Sequence, residues 1–393
     1  MKALLFRRNE VRYAAAAITS RFVRGEGARI GPLSLSDIAA PELPGAGWHR
    51  VTPLLSGICG SDLATIEGTS SRYFEPLVSF PFVPGHEVVG RLEDGTRVVI
   101  EPVLGPAARG FEPPSADAAP GDGDDYGHYV AGPLEAGIQI GYCASTGGGW
   151  STQLVAHESQ LHPIDDSMSD GTAVLVEPLA VGMHSALRAQ LRPGSLVAVI
   201  GAGTMGLLTI AALRCLHPDA RIIAAAKYPH QKRLATRMGA DQVAEPAGLA
   251  RAVRRASGCR MIGDDLAGGA DATVDTVGAS ASIREAIGIT RPRGRVVLCG
   301  MPAHVHLELT ALWHRETELV GAYTYCTEKL PSGERTTSFR LALDLARRVD
   351  LSPLVSATYR LDRYTEALRH AANAGTRGAV KVAFDLRDEK HRR

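Results

Sequence analysis

Four side chains in this sequence could together hold a metal ion and use it. Gly57-Ile-Cys-Gly-Ser-Asp62 sets a thiol, Cys59, in a glycine-flanked turn, and Pro84-Gly-His-Glu-Val-Val-Gly90 sets the His86 imidazole beside the Glu87 carboxylate just before a strand. A second carboxylate, Glu177, follows far down the chain in Glu177-Pro178. Thiolate, neutral imidazole and carboxylate from three separate segments are the mixed ligand set of a catalytic zinc, which keeps one position open for water or substrate. Each also has a plain structural reading: Cys59 as a buried apolar thiol, His86 as a hydrogen-bonded core histidine, Glu177 as a carboxylate on a helix surface. Spacing alone does not show that they meet.

A different chemistry is written at Val197-Ala-Val-Ile-Gly-Ala-Gly-Thr-Met-Gly206, an apolar run of strand length that breaks into G-x-G-x-x-G. Gly201 permits a tight turn off the strand, Gly203 lets backbone approach a pyrophosphate, and Gly206 lets the following helix pack on the strand. Thr204 and Met205 open that helix, whose free N–H groups suit phosphate. With a strand before and a helix after, the motif reads as a dinucleotide site. About 20 residues further on, NAD enzymes place an acid that bonds the ribose 2′-OH. Here that strand end reads Ala226-Lys227, with His230, Lys232 and Arg233 nearby. The missing acid deletes a repulsion and Lys227 adds an attraction for a 2′-phosphate, which favours NADP, with NAD still possible.

The elements that must position these residues change character along the chain. Residues 1 to about 165 alternate short apolar runs with Gly and Pro, an all-β style in which Met1–Arg8, Val51–Leu55 and Glu87–Val99 read as strands. Gly105–Gly141, rich in Pro, Gly, Ala and Asp, reads as a long surface lobe, and its acidic run Gly121–Gly127 lacks the ligand order of a calcium loop. From Ser169 the pattern turns helical up to Pro193-Gly194. Beyond it, strands at Arg221–Ala226, Ala272–Val277 and Arg295–Cys299 alternate with helices at Gln231–Met238 and Ser282–Ile289, which is the pattern of a doubly wound parallel sheet. Helices around Leu341–Arg348 and Tyr364–Ala372 and a strand at Val380–Phe384 follow. The 393 residues suit two or three domains, and 43 basic against 42 acidic residues leave a net charge of +1. That balance offers no field for nucleic acid, no apolar run reaches membrane-spanning length, and the first residues lack a secretory pattern, so a cytoplasmic protein is expected. Six cysteines without a C-x-x-C pair argue against a disulfide framework.

In order and over nearly the whole chain, G-I-C-G-S-D, G-H-E-V-V-G, E-P-L-A-V-G-M-H and V-I-G-A-G-T-M-G resemble the zinc-dependent medium-chain alcohol and polyol dehydrogenases. The resemblance implies an α/β protein in which a Rossmann domain, 178–323, is inserted in a GroES-like β-barrel catalytic domain formed by 1–177 and 324–393, with the active site in the cleft. Cys59 and His86 then look like zinc ligands, and Glu87 and Glu177 like two carboxylates that share or exchange the remaining protein position. Asp62 resembles the acid that orients the histidine, and Ser61 the hydroxyl that passes the substrate proton. Cys299 and Gly300 match backbone along the nicotinamide, Lys381 matches a basic residue reaching the pyrophosphate, and Trp150 falls either at the substrate pocket or in the barrel core. The implied reaction is hydride transfer between a nicotinamide and an alcohol or carbonyl of small size, with zinc as Lewis acid, in a homodimer or homotetramer. A zinc-independent NADPH-dependent reductase of an activated C=C or C=N bond, or a cofactor-binding protein without turnover, stand as alternatives.

Two departures from the family pattern bear on that expectation. Many members carry a histidine five residues after the zinc-binding cysteine, where this chain has Ala64, so the proton must leave Ser61 by another route. The lobe from Gly105 to Val130, where many relatives hold a structural zinc on four cysteines, has none; Pro106, Ser115, Ala118 and His128 stand at the matching positions. One zinc per chain, catalytic and not structural, is therefore expected.

Overall fold

The computed structural model describes residues 1–330 and 332–387. The chain divides into two units, one of residues 1–177 with 346–393 and one of residues 178–345. The second boundary lies 22 residues beyond the expected 323/324: 324–345 group with the sheet unit, where Glu328 bonds His184 of helix Val176–Arg188.

The first unit is built on a seven-stranded sheet around the ten-residue strand Trp48–Gly57, which pairs antiparallel with Val88–Leu92, Leu154–His157 and Lys381–Asp385. Ala383 lies opposite Gly57, so the C-terminal strand completes the sheet that carries the thiol segment. Val51, Val88, Val98, Ile100, Leu104 and Leu154 are fully buried between the strands and the lobe, the apolar burial that drives this unit together. The run expected as one strand, Glu87–Val99, is two, Val88–Leu92 and Arg97–Ile100. Turn chemistry overrides the apolar pattern there: the Thr96 amide donates to Asp94 Oδ1 and Gly95 adopts φ +90°.

A 13-residue helix, Glu10–Phe22, interrupts the all-β expectation for this region. Its signals are an Asn9 cap, which accepts from the Arg12 amide at 3.0 Å, and the alanine run Ala14–Ala17. The cysteine-free lobe holds two short 3₁₀ turns, Ala107–Arg109 and Gly127–Val130. Its interior is organised by Arg109, 1% exposed, which donates to the carbonyls of Ala131, Glu135 and Gly137 at 2.9, 3.0 and 2.7 Å.

The second unit is a six-stranded, all-parallel sheet in the order Gln242–Ala244, Arg221–Ala225, Leu196–Ile200, Ala270–Asp275, Thr290–Leu298, Glu318–Gly321. This is the doubly wound order 3-2-1-4-5-6 of dinucleotide-binding sheets. Leu196–Ile200 is at most 5% exposed along its length, as a central strand covered on both faces must be. The helical stretch after Ser169 is two helices, Asp170–Ala173 and Val176–Arg188. Among the described residues no helix is long and apolar enough to cross a membrane.

Candidate catalytic and cofactor sites

Strand Trp48–Gly57 ends where the thiol must be presented. The chain turns there into helix Gly60–Ile66, capped by Cys59, whose amide donates to Asp62 Oδ2 at 2.9 Å. His86 and Glu87 arrive from the adjacent strand: the Gly57 amide donates to the Glu87 carbonyl at 2.8 Å, which registers the two segments. A Cβ on Gly57 would fall 1.8 Å from Glu87 Oε2, so the Glu87 carboxylate occupies the space that only glycine leaves. Trp150 fixes the floor. It is fully buried, its indole N–H donates to the Gly57 carbonyl at 3.1 Å, and it meets Phe384 edge-on at 5.1 Å. Of the two places open to it, it takes the barrel core.

These contacts bring one ligating atom each from Cys59, His86 and Glu87 within 4.8 Å of one another. His86 is 4% exposed and Glu87 1%. The imidazole Nδ1 faces Asp62 Oδ1 at 3.4 Å, and neither atom finds a hydrogen-bond partner among the described residues. Nε2 lies 3.5 Å from Ser61 Oγ. Burial alone would lower the His86 pKa, but the negative charge of nearby Asp62, with that of Cys59, holds it well above the ordinary histidine value. A soft sulfur, an imidazole nitrogen and a carboxylate oxygen facing one point, with an acid behind the imidazole, fit zinc.

The two carboxylates are not equivalent. Glu87 joins the converging atoms, whereas Glu177 stands outside that group, though near enough to feel His86, Glu87, Lys381 and Asp62. Burial pushes the Glu177 carboxyl up to about 8, with His86 lowering it and Glu87 raising it. Lys381 requires a correction. Expected at the cofactor pyrophosphate, it is 3% exposed and its Nζ donates to both Glu87 oxygens at 2.6 Å and to the Ile58 carbonyl at 3.3 Å. Burial would lower the Lys381 pKa, yet Glu87, Cys59 and Glu177 together raise it, so the pair is an ion pair in a dry site. The reason is strand pairing: Lys381 opens the strand that lies beside Trp48–Gly57. Tyr142, which no sequence motif singled out, lies 6.0 Å from His86 between ring centroids and hydrogen-bonds Thr65 at 3.3 Å.

In the sheet unit, Leu196–Ile200 ends at Gly201, with φ +97°, and helix Thr204–Leu216 begins after Gly203. A Cβ on Gly206 would lie 2.0 Å from the Gly201 carbonyl, so helix and turn pack as the motif requires. Gly203 is exposed and the space beside it is open, as a close-lying pyrophosphate demands. Thr204 and Met205, half-buried, form the first turn of that helix, which has no side-chain cap. Cys299 and Gly300 follow the strand Thr290–Leu298, and both of their amides donate to the Asp275 carbonyl, at 2.9 and 2.7 Å. Ala226 is buried at the end of its strand and Lys227 is exposed, its Nζ 5.6 Å from the Tyr228 ring centre. Lys232 is engaged by Glu245 at 2.7 Å.

A β-sheet unit presenting a thiol–imidazole–carboxylate cluster and a parallel sheet with a dinucleotide turn define the class of zinc-type nicotinamide dehydrogenases. Residues 45–166 match the alcohol dehydrogenase GroES-like domain family and residues 204–338 match the zinc-binding dehydrogenase family. The chain is similar to human sorbitol dehydrogenase, 27% identical over 360 residues that cover 86% of this chain and 89% of the relative. It shares its fold with 2R,3R-butanediol dehydrogenase from Bacillus subtilis, with TM-score 0.71, 21% identity and coverage of 98% and 99% of the two chains. A zinc-binding dehydrogenase structure from Sinorhizobium meliloti 1021, bound to NADP, aligns with TM-score 0.68 and 22% identity over 90% and 96% of the chains. The chain belongs to the zinc-dependent medium-chain alcohol and polyol dehydrogenase family.

Proposed function

We propose that this protein oxidises a small polyol or secondary alcohol, and reduces the matching carbonyl, with one zinc held by Cys59, His86 and Glu87 and with NADP favoured over NAD. The observation that carries the reading is the convergence of those three side chains within 4.8 Å, backed by Lys381 on Glu87 and Asp62 behind His86. A zinc ion held there supplies Lewis acidity, which favours loss of an alcohol proton near neutral pH and polarises a carbonyl in the reverse direction. Asp62, 3.4 Å from His86 Nδ1, would hold the ring so that Nε2 is the nitrogen left to bind the ion. Ser61 Oγ, 3.5 Å from Nε2, is placed to take the substrate proton and pass it on through water or a cofactor hydroxyl, since Ala64 offers no imidazole. Glu177, buried at the edge of the group, is the carboxylate available to exchange with Glu87. Gly203 and the helix start at Thr204 would receive the pyrophosphate, and Lys227 beside Ala226 would meet a 2′-phosphate.

The test is a screen of polyols, secondary alcohols and their carbonyls with both nicotinamides, with zinc measured on the same sample. Turnover that follows zinc content supports the reading. Turnover on activated C=C or C=N bonds that persists after zinc is removed would replace it with a zinc-independent reductase, and absence of turnover despite cofactor binding would leave a binding protein.

A further inference from the structure

A second set of ligating side chains lies within the sheet unit and takes no part in the chemistry above. His184 projects from helix Val176–Arg188, Cys326 precedes the short strand Thr327–Lys329, and Glu328 sits inside that strand opposite Thr336. One ligating atom from each lies within 4.8 Å of the others. His184 is 8% exposed and Glu328 9%, and among the described residues the ion-pair partner of Glu328 is His184.

The distances discriminate between a catalytic relay and a metal site. Cys326 Sγ is 3.5 Å from His184 Nδ1 and 3.7 Å from Glu328 Oε1, while Nδ1 and Oε1 are 2.6 Å apart. A thiol-activating relay uses both imidazole nitrogens, one toward the nucleophile and one toward the acid. Here thiol and carboxylate both address Nδ1, which carries at most one proton and cannot serve both. A tetrahedral zinc with ordinary bond lengths sets sulfur and nitrogen about 3.5 Å apart and sulfur and oxygen about 3.6 Å apart, so two of the three separations already suit it. The third, now a hydrogen bond, would open by roughly 0.7 Å to admit the ion. Ser338 stands behind this group: its hydroxyl donates to Glu328 Oε1 at 2.7 Å and bonds the Cys326 backbone, oriented as the outer layer of a metal site orients its ligands.

We propose that Cys326, His184 and Glu328 form a second metal site that takes zinc or a similar borderline divalent cation, with solvent at the fourth position. The ion ties the strand pair Thr327–Lys329 and Arg335–Thr337 to helix Val176–Arg188 within the sheet unit. Metal content then rises above the single zinc expected from the sequence, without any contribution from the cysteine-free lobe.

The test uses the full chain carrying Cys59→Ala, stripped of metal and titrated with Co2+, so that no thiolate of the catalytic group contributes. The expected result is a thiolate-to-cobalt charge-transfer band that saturates near about one ion per chain. The band disappears in Cys59→Ala/Cys326→Ala. Adding Glu328→Gln, which keeps the bond to Ser338, weakens cobalt binding by at least about tenfold while NADPH binding persists as proof of folding. No thiolate band in Cys59→Ala, or a band that survives Cys326→Ala, or unchanged affinity in the Glu328→Gln variant, would overturn the site. None of these outcomes bears on whether Cys59 and His86 support turnover, which activity measurements read separately.

Discussion

The cluster around His86 and the lobe around Arg109 belong to the same unit, and both bury charged side chains, but they treat them in opposite ways. Arg109 directs its two terminal nitrogens to three backbone carbonyls and so fixes a chain path. At the cluster, charged and ligating groups face one another: Lys381 is held on Glu87, Asp62 Oδ1 stands 3.4 Å from His86 Nδ1, and Cys59, His86 and Glu87 converge. Buried charge aimed at backbone carbonyls fixes a chain path; a thiol, an imidazole and a carboxylate gathered around one point make a ligand set.

The comparison breaks most sharply at the thiol and imidazole. Cys59→Ala and His86→Ala are each expected to lower kcat/KM by about a thousandfold or more, since a metal contributes several kcal/mol to the transition state, while NADP(H) binding survives. Retention of near wild-type turnover by the double variant would end the zinc reading. In the lobe the expectation reverses: Arg109→Met should cost about 3 kcal/mol of unfolding free energy, read by denaturant titration, because three backbone carbonyls, that of Gly137 fully buried, lose their charged donor, with kcat per folded chain within about twofold of wild type. A large fall in kcat at unchanged stability would erase the distinction between the two regions.

Smaller effects sharpen it. Asp62→Asn keeps the shape but loses the charge behind His86, and zinc affinity measured against a competing chelator should fall about 10- to 100-fold. In the sheet unit, Ala226→Asp should shift the ratio of kcat/KM for the two cofactors toward NAD by about tenfold, roughly one lost charge-assisted contact. Lys227→Ala should move the ratio the same way. A wild type that prefers NAD, or a ratio that neither change moves, would remove this strand end as the selector.

Much of this was legible from residue order. The glycine turn announced itself because its task is local: Gly201, Gly203 and Gly206 act within six residues, and the strand and helix around them carry their own patterns. Cys59, His86 and Glu87 were legible as a list of ligand types, and their meeting came from the pairing of Trp48–Gly57 with Val88–Leu92, which sequence does not print. Lys381 was misplaced for the same reason, since its partner is set by a strand contact across 294 residues. Helix Glu10–Phe22 lies inside a stretch whose Gly and Pro punctuation reads as all-β, although Val11, Ile18 and Phe22 fall on one helical face; that face is exposed, at 81%, 60% and 84%. The bond between His184 and Glu328 ties 324–345 to the unit that holds the parallel sheet, a long-range fact that no composition change marks.

Trp150 has an optical consequence. Of the three tryptophans, Trp313 is 79% exposed and Trp48 7%, while Trp150 is sealed beneath the carbonyl of Gly57, with its ring 2.4 Å from where a Cβ on Gly85 would stand. Its emission therefore arises from a dry, rigid environment flanked by the two segments that deliver Cys59 and His86. In Trp48→Phe, an aqueous quencher should silence Trp313 and leave the blue-shifted, unquenched emission of Trp150, and the loss of that component during unfolding would date the moment at which the thiol and imidazole segments part.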